Sequence, residues 1–288
     1  MYKIAEKRDL APQIFLMNIE APRVAKSAKP GQFIIVRMDE KGERVPLTVC
    51  DTDAEKGTVT IVVQTIGCST KEMAKLEAGD MVADFVGPLG KESELLHEDL
   101  EELKNKNILF ISGGVGAAPV YPQVKWLNQH GIKADVIMGY KNKEMVILEE
   151  EMKSVAGNVF VCTDDGSYGF KGMVTNKLQD LVQNEGRKYD LVVSIGPMIM
   201  MKFVCKLTEE LGIKTIVSLN PIMVDGTGMC GACRVTVGNE TKFACVDGPE
   251  FDGHEVNFDE ALKRISMYKA EECAKDSIKE GCGLGGNK

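Results

Sequence analysis

The chain has 288 residues, 44% hydrophobic and 27% charged, the balance of an ordinary soluble globular protein with room for two domains and a small third. Its net charge of −8 argues against a nucleic-acid surface, for which a basic domain is expected. The charged start Met1 to Asp9 has no signal-peptide core, and no apolar run approaches the roughly 18 residues of a membrane span; a cytoplasmic protein with no membrane contact is expected.

Residues 1–100 read as short strands punctuated by turns. Gly31 to Met38, Arg44 to Val49 and Gly57 to Thr65 are β-branched runs at close spacing, which predicts an antiparallel sandwich or barrel. A helix from about Ser69 to Leu76 interrupts them, with Ser69 or Thr70 as its expected cap and Glu72 in its first turn. Gly87-Pro-Leu-Gly90 closes the section, and the acidic stretch Lys91 to Leu103 is expected to be a surface connection.

From Asn107 the rhythm changes. Ile108 to Ile111, Ala134 to Met138, Val159 to Cys162, Leu191 to Ile195 and Thr215 to Leu219 read as buried strands. Helix-length segments lie between them, near Pro119 to Asn128, Met145 to Val155, Met173 to Asn184 and Ile199 to Leu211. Such alternation predicts a doubly wound parallel sheet that binds ligands at the carboxyl ends of its strands, so 101–221 forms a second domain. A glycine- and cysteine-rich segment, 222–268, follows, and 269–288 is expected to be a loose tail.

Ser112-Gly-Gly-Val-Gly-Ala-Ala-Pro119 follows the first strand of the α/β half and opens its first helix, where free N–H groups and the helix dipole favour a phosphate. Pro119 replaces the third glycine of the dinucleotide fingerprint, and the acidic residue expected about 20 positions on is missing. Lys141 and Lys143 lean toward the extra phosphate of NADP, though exposed lysines are more often simply solvated. Two further loops reach the same sheet edge: Thr163-Asp-Asp-Gly-Ser167, whose Asp164 and Asp165 suit ribose hydroxyls or a solvated turn, and Gly196-Pro-Met-Ile-Met-Met201, whose methionines suit a flat ring or core packing. In the β half, Arg44-Val-Pro-Leu-Thr48 and Gly67-Cys-Ser-Thr70 offer a cation, hydroxyls and backbone donors suited to a pyrophosphate.

Asp225-Gly-Thr-Gly-Met-Cys230-Gly-Ala-Cys233, with Cys245 twelve positions later, has the spacing of a plant-type [2Fe–2S] ferredoxin loop with aspartate at the first ligand position. A carboxylate keeps the ligand charge but is a harder donor than thiolate. The rival set Cys230, Cys233, Cys245 and His254 would suit zinc. Of the nine cysteines, Cys50, Cys162 and Cys205 read as small core residues, and Cys273 and Cys282 as free thiols in the tail. The three histidines form no nucleophile–base arrangement, so no catalytic side chain is assigned.

In this order the motifs resemble the ferredoxin:NADP reductase superfamily over about residues 1–268. Within it, the chain is most similar to electron-transfer subunits of the dihydroorotate dehydrogenase B type and to the small subunit of the electron-bifurcating NADH-dependent reduced ferredoxin:NADP oxidoreductases, also called sulfide dehydrogenase β subunits. Two departures favour the latter group: Asp225 in place of a first cysteine, since a ligand set of one aspartate and three cysteines marks that subunit, and Ile195 where dihydroorotate-type subunits carry Cys before Gly-Pro.

The resemblance implies an FAD-binding β-barrel domain, an NAD(H)-binding α/β domain and a small C-terminal [2Fe–2S] domain. It puts Arg44, Val45, Pro46, Leu47 and Thr48 on the FAD phosphates and flavin edge, Val63 and Gln64 beside the isoalloxazine, and Gly67, Ser69 and Thr70 on the pyrophosphate. Gly114, Val115, Gly116, Pro119, Asp165, Gly196, Pro197 and Met198 would form the nicotinamide nucleotide site, with NAD(H) implied in place of NADP. Asp225, Cys230, Cys233 and Cys245 would hold the cluster. The implied partners are a larger flavin and [4Fe–4S] subunit and, through that complex, ferredoxin. The alternatives are an electron-transfer subunit of dihydroorotate dehydrogenase B or another oxidoreductase, and, from a different class, a non-catalytic zinc-containing assembly module.

Overall fold

The computed structural model describes residues 1–268. The expected tail, with Cys273 and Cys282, lies outside the described residues.

The N-terminal unit contains β1 (Tyr2–Ala11), β2 (Ile14–Glu20), α1 (Pro22–Ser27), β3 (Phe33–Arg37), β4 (Val45–Asp53), β5 (Thr58–Gln64), α2 (Cys68–Met73), β6 (Met81–Val82) and β7 (Asp84–Leu89). Its antiparallel sheet runs β6-β1-β2-β5-β4-β3-β7. The strands at the two ends of that order are separated in sequence by Ala83 alone, so the sheet has to curl round and nearly close into a barrel. Alternation along β2 shows how the sequence builds both faces. Phe15, Met17 and Ile19 point into the barrel core with Ile34, Val36, Ile61 and Phe85.

Ile14 and Leu16, on the other face of β2, join Cys50 and Val62 in a core shared with the second unit. Each such buried aliphatic side chain contributes roughly 1.5–3 kcal/mol, so barrel and α/β unit are fastened by apolar contact. Lys125 Nζ adds an ion pair with Asp51 at 2.7 Å.

The connection between the units departs from the expected surface strap: Ser93, Leu95 and Leu103 are 0–1% exposed. The apolar positions between its acidic residues turn inward, through a short 3₁₀ turn and α3 (Leu100–Lys104), while Glu94, Glu101 and Glu102 stay exposed and Glu92 and Glu98 are half-buried in ion pairs with Lys29 and Lys106.

The second unit comprises β8 (Ile108–Gly113), α4 (Ala117–Gln129), β9 (Asp135–Tyr140), α5 (Glu149–Val155), β10 (Val159–Thr163), β11 (Phe170–Lys171), α6 (Val174–Gln179), β12 (Leu191–Ile195), α7 (Met198–Leu211) and β13 (Lys214–Ser218). Its parallel strands are ordered β11-β10-β9-β8-β12-β13. Ile108 and Phe110 pack against α4 and α5 on one side, whereas Leu109 and Ile111 pack against α6 and α7 on the other. A strand buried on both faces has to be apolar at successive positions, as Ile108 to Ile111 of β8 are.

The cysteine-rich segment adds the hairpin β14 (Arg234–Val237) and β15 (Glu240–Phe243), β16 (Glu250–Asp252) and α8 (Phe258–Ile265). β16 pairs antiparallel with β13 and extends the large sheet. Cys233 and Cys245 share a buried core with Phe33 and Ile35 of the barrel and Met198 and Met201 of α7, so this segment touches both other units. Cys50, Cys162 and Cys205 are core residues at 0–5% exposure. Among the described residues no helix is long and apolar enough to cross a membrane.

Candidate cofactor-binding site

The barrel opens where two of its strands part. The β4–β5 ladder runs from Asp53 opposite Thr58 to Val49 opposite Ile61 and ends there. Beyond that point Val45, Pro46, Leu47 and Thr48 pair only with β3, while Val63 and Gln64 pair only with β2. Two strand edges thus face each other unpaired, a cleft whose backbone groups are free for a ligand. All of Val45 to Thr48 are half-buried, as is Gln64, and Val63 is buried.

At the end of this cleft α2 begins one residue after Gly67. Gly67 is the N-cap, not Ser69 or Thr70 as expected; Thr70 sits a turn later, and its Oγ1 accepts from the N–H groups of Ile66 and Gly67 at 2.9 and 3.2 Å. A Cβ on Gly67 would meet nothing within 4 Å, so the space over the cap is open. Ser69 Oγ donates to Glu43. The Arg44 guanidinium reaches out of the barrel, Nε and Nη2 donating to the carbonyl oxygens of Val224 and Asp225, both at 3.3 Å.

The Gly114–Gly116 turn, at the carboxyl end of β8, adjoins β5. Gly114 has φ of +54° with no atom within 4 Å of where a Cβ would lie, leaving its backbone open to a phosphate. Gly116 is required for the opposite reason: a Cβ there would stand 2.2 Å from the Ile195 carbonyl oxygen. The turn and Gly196-Pro197 are pressed together, since a Cβ on Gly113 would lie 2.9 Å from the Pro197 ring. Val115 lies between the two glycines, half-buried, and Pro119 is buried in the first turn of α4. Met198 is 4% exposed and packs in the core with Cys233 and Cys245.

Asp165 is engaged in its own turn. Its Oδ1 accepts from the Ser167 N–H at 2.9 Å and the Ser167 hydroxyl at 2.7 Å, which hold its carboxyl below the usual range. Ser167 Oγ in turn accepts from the Lys143 N–H at 2.8 Å, so the loops after β9 and β10 are tied together.

The cysteine loop is shaped by glycine where it lies on the barrel. Gly226 has φ of +80°, and a Cβ on it would be 2.4 Å from Ile35 Cδ1. The structure brings Cys233 and Cys245 together as unpaired cysteines with sulfurs 3.2 Å apart, and leaves Cys230 exposed. N–H groups of Ala232 and Asp225 point at the Cys230 sulfur and lower its thiol pKa, whereas burial, followed by the adjacent Cys233, pushes Cys245 up to about 12. Asp225 Oδ2 accepts from Thr227 Oγ1 at 2.5 Å, Thr227 N at 2.9 Å and Met229 N at 3.2 Å, and these bonds keep it ionised. Among the described residues no three His, Cys, Asp or Glu side chains converge closely enough to hold a metal ion, so only two of the four expected ligands meet. The zinc alternative is divided: His254 Nε2 lies 3.0 Å from Thr208 Oγ1 on α7.

The donor chemistry nevertheless fits an iron–sulfur cluster. Thiols and a carboxylate lie on a loop whose backbone N–H groups point at sulfur, the arrangement that stabilises bound sulfur ligands, and ligation would displace the proton that burial retains on Cys245. Sequence reading missed three features here. Arg264 Nη2 donates to the Ala232 carbonyl at 3.0 Å and Arg234 Nη1 to that of Gly231 at 3.4 Å, placing two cations on the Cys230–Cys233 loop. Three exposed apolar side chains, Met229 (86% exposed), Val224 and Val246, lie on the loop or beside it in sequence, Val246 against Gly228. Arginines on a helix and a strand carry no local signal of this, because only the fold brings them to the loop.

Residues 220–257 match the iron–sulfur cluster binding domain of dihydroorotate dehydrogenase B, and residues 110–206 match the oxidoreductase NAD-binding domain. An uncharacterized protein of Clostridium beijerinckii is 64% identical over 100% of both chains. A Thermotoga maritima protein named as a homolog of the dihydroorotate dehydrogenase B (NAD(+)) electron transfer subunit is 46% identical over 94% of this chain and 92% of its own. A chain in the solved NADH-dependent reduced ferredoxin-NADP oxidoreductase, studied for flavin-based electron bifurcation, is 44% identical, with a TM-score of 0.88 over 97% of both chains.

Proposed function

Because the chain belongs to the family of dihydroorotate dehydrogenase B electron-transfer subunits and their homologues, oxidoreductases of the ferredoxin reductase superfamily, we propose that it is the small subunit of a flavin-based electron-bifurcating NADH-dependent ferredoxin:NADP oxidoreductase. It would exchange hydride with NAD(H) and deliver single electrons to a larger flavin and iron–sulfur subunit, and through it to ferredoxin, in the cytoplasm. The observation that supports this reading is the pair of bonds from Arg44, at the barrel's open strand edge, to the Val224 and Asp225 carbonyls of the cysteine loop, on a barrel whose β5 also adjoins the Gly114–Gly116 turn. The 44% identity over 97% of both chains, and aspartate at position 225, support the bifurcating assignment.

Bound FAD would supply the conversion between hydride and single electrons, and a bound [2Fe–2S] cluster would carry those electrons one at a time. The chain's residues position the reactants. We assign Arg44, Val45, Pro46, Leu47 and Thr48 to one wall of the flavin cleft and Val63 and Gln64 to the other, with the free N–H groups beyond Gly67, and Ser69 and Thr70, at the pyrophosphate. Gly114, Val115 and Gly116 cradle the nucleotide phosphates at the start of α4, with Pro119 shaping its first turn. Gly196 and Pro197 present backbone toward the nicotinamide, Met198 packs behind them, and Asp165 faces the ribose. Cys230, Cys233 and Cys245 would hold iron, and Asp225 would be the fourth ligand, with the bonds to Oδ2 leaving Oδ1 available. Met229, Val224 and Val246 exclude water where the partner docks.

The match over residues 220–257 favours a second reading, the electron-transfer subunit of a dihydroorotate dehydrogenase. Copurification from the native host separates the two. A large flavin and [4Fe–4S] subunit with NADPH- and ferredoxin-linked activity supports the first, and a dihydroorotate dehydrogenase partner overturns it.

A further inference from the structure

Glu250 opens β16, five residues past Cys245, and is 7% exposed, a carboxyl group inside the junction of all three units. Its Oε1 lies 2.7 Å from Nε2 of Gln123, which belongs to the helix that begins at the nucleotide turn. Its Oε2 lies 2.8 Å from Oγ of Ser93, in the connection between barrel and α/β unit. Ser93 Oγ is also 3.1 Å from Oε1 of Gln123. These contacts form a closed ring of three side chains, and a proton inventory decides its charge.

Gln123 fills its part in one way: Nε2 donates to Glu250 Oε1, and its Oε1 has to accept. Ser93 owns one hydroxyl proton. If Glu250 were ionised, both its oxygens would be acceptors, and Ser93 would need two protons to serve Glu250 Oε2 and Gln123 Oε1 together. If Glu250 carries a proton on Oε2, that proton is donated to Ser93 Oγ, the Ser93 hydroxyl donates to Gln123, and Gln123 donates to Glu250. All three contacts are then satisfied, as a buried network requires.

The surroundings agree. Among the described residues no Lys, Arg or His forms an ion pair with Glu250. A cavity of about 330 Å³ beside it is lined by Lys91, Glu92, Glu94, His97 and Asp247, among others. Of these, Glu92 is already paired with Lys29 and with His97, while Glu94 opposes ionisation of Glu250 by its charge and favours it by a backbone N–H. Burial is the largest influence and raises the Glu250 pKa.

We propose that Glu250 is a positioning residue that stays protonated at neutral pH and, as a neutral acid, locks the nucleotide helix, the inter-domain connection and the cysteine-bearing arm in one arrangement. The proposal rests on this ring and does not depend on which partner receives the electrons. Its sign follows from linkage. The folded state holds a proton that the unfolded chain loses above about pH 4.3, so wild-type stability falls as pH rises from there toward the folded-state pKa.

Glu250→Gln keeps the shape of the neutral acid and, with an amide N–H in place of its O–H, closes the same ring without a titrating proton; Glu250→Ala breaks it. The test is thermal unfolding of the full chain with its cofactors across about pH 5 to 8, together with infrared spectroscopy of the carboxyl stretch. The expected result is that Tm of E250Q rises relative to wild type as pH increases, that E250A is lower at every pH, and that a protonated-carboxyl band at pH 7 disappears in E250Q. A pH-independent difference between wild type and E250Q, or no such band in the wild type, overturns the proposal.

Discussion

Arg44 Nη2 donates to the main-chain oxygen of Asp225 at 3.3 Å, joining the barrel's open strand edge to the cysteine loop across 181 positions of sequence. One guanidinium therefore stands at both the proposed flavin cleft and the proposed cluster. A hydrogen bond from a charged group is worth roughly 1.5–3 kcal/mol, so Arg44→Ala, by removing the bond proposed to the FAD phosphates, should weaken FAD binding by about 10- to 100-fold, and by releasing the loop it should alter the visible spectrum of the iron centre. Arg44→Lys should restore little, because a compact ammonium cannot serve both carbonyls in a fixed fork. Fluorimetric FAD titration beside the absorption spectrum measures both effects.

Gly116 is the tightest point of the nucleotide turn, since a Cβ would lie 2.2 Å from the Ile195 carbonyl oxygen. Gly116→Ala should displace the turn by a substantial fraction of an ångström. Misplacement of this size costs on the order of 100-fold in rate. Rapid-mixing measurements should show flavin reduction by NADH slowed by about that factor, with flavin and iron content unchanged.

Arg264 of α8 also holds the cysteine loop. Its Nη2 bonds the Ala232 carbonyl at 3.0 Å, and its Nε is buried with no hydrogen-bond partner. A fixed positive charge beside the loop should favour the reduced, more negative cluster. Arg264→Gln should therefore shift the cluster's midpoint potential to more negative values in a redox titration followed by electron paramagnetic resonance, and Arg264→Lys should retain most of the wild-type value. Equal potentials in all three would reduce the residue to a structural tie.

Asp225 separates this chain from a four-cysteine loop. Asp225→Ala should lose the cluster or change its spectrum, and Asp225→Cys should keep iron while shifting the potential, because thiolate is the softer donor. An unchanged spectrum in D225A would place the fourth ligand elsewhere.

Much of the architecture was legible because it is written locally. β8 is apolar at successive positions, which only a doubly covered strand needs, and Gly114 to Gly116 follow it directly. The first hairpin was not legible: β1 mixes charges with apolar residues, and its partner lies beyond a turn held by Gln13 at φ of +63°. The 91–103 connection was misjudged because its acids dominate its composition, while Leu95 and Leu103 turn inward under tertiary packing. The ring of Glu250, Ser93 and Gln123 joins positions up to 157 residues apart, a relation no spacing rule reveals.

As proposed, this chain takes hydride from NADH and releases electrons singly through a [2Fe–2S] cluster. Anaerobic titration of the purified chain with NADH, followed by absorption and electron paramagnetic resonance with parallel metal analysis, tests it most directly. The expected result is bound FAD that bleaches on NADH addition, two irons per chain, and a paramagnetic signal of a reduced [2Fe–2S] cluster that appears as the flavin is reduced. Zinc in place of iron, or a flavin that bleaches with no paramagnetic iron signal at any NADH concentration, would contradict it.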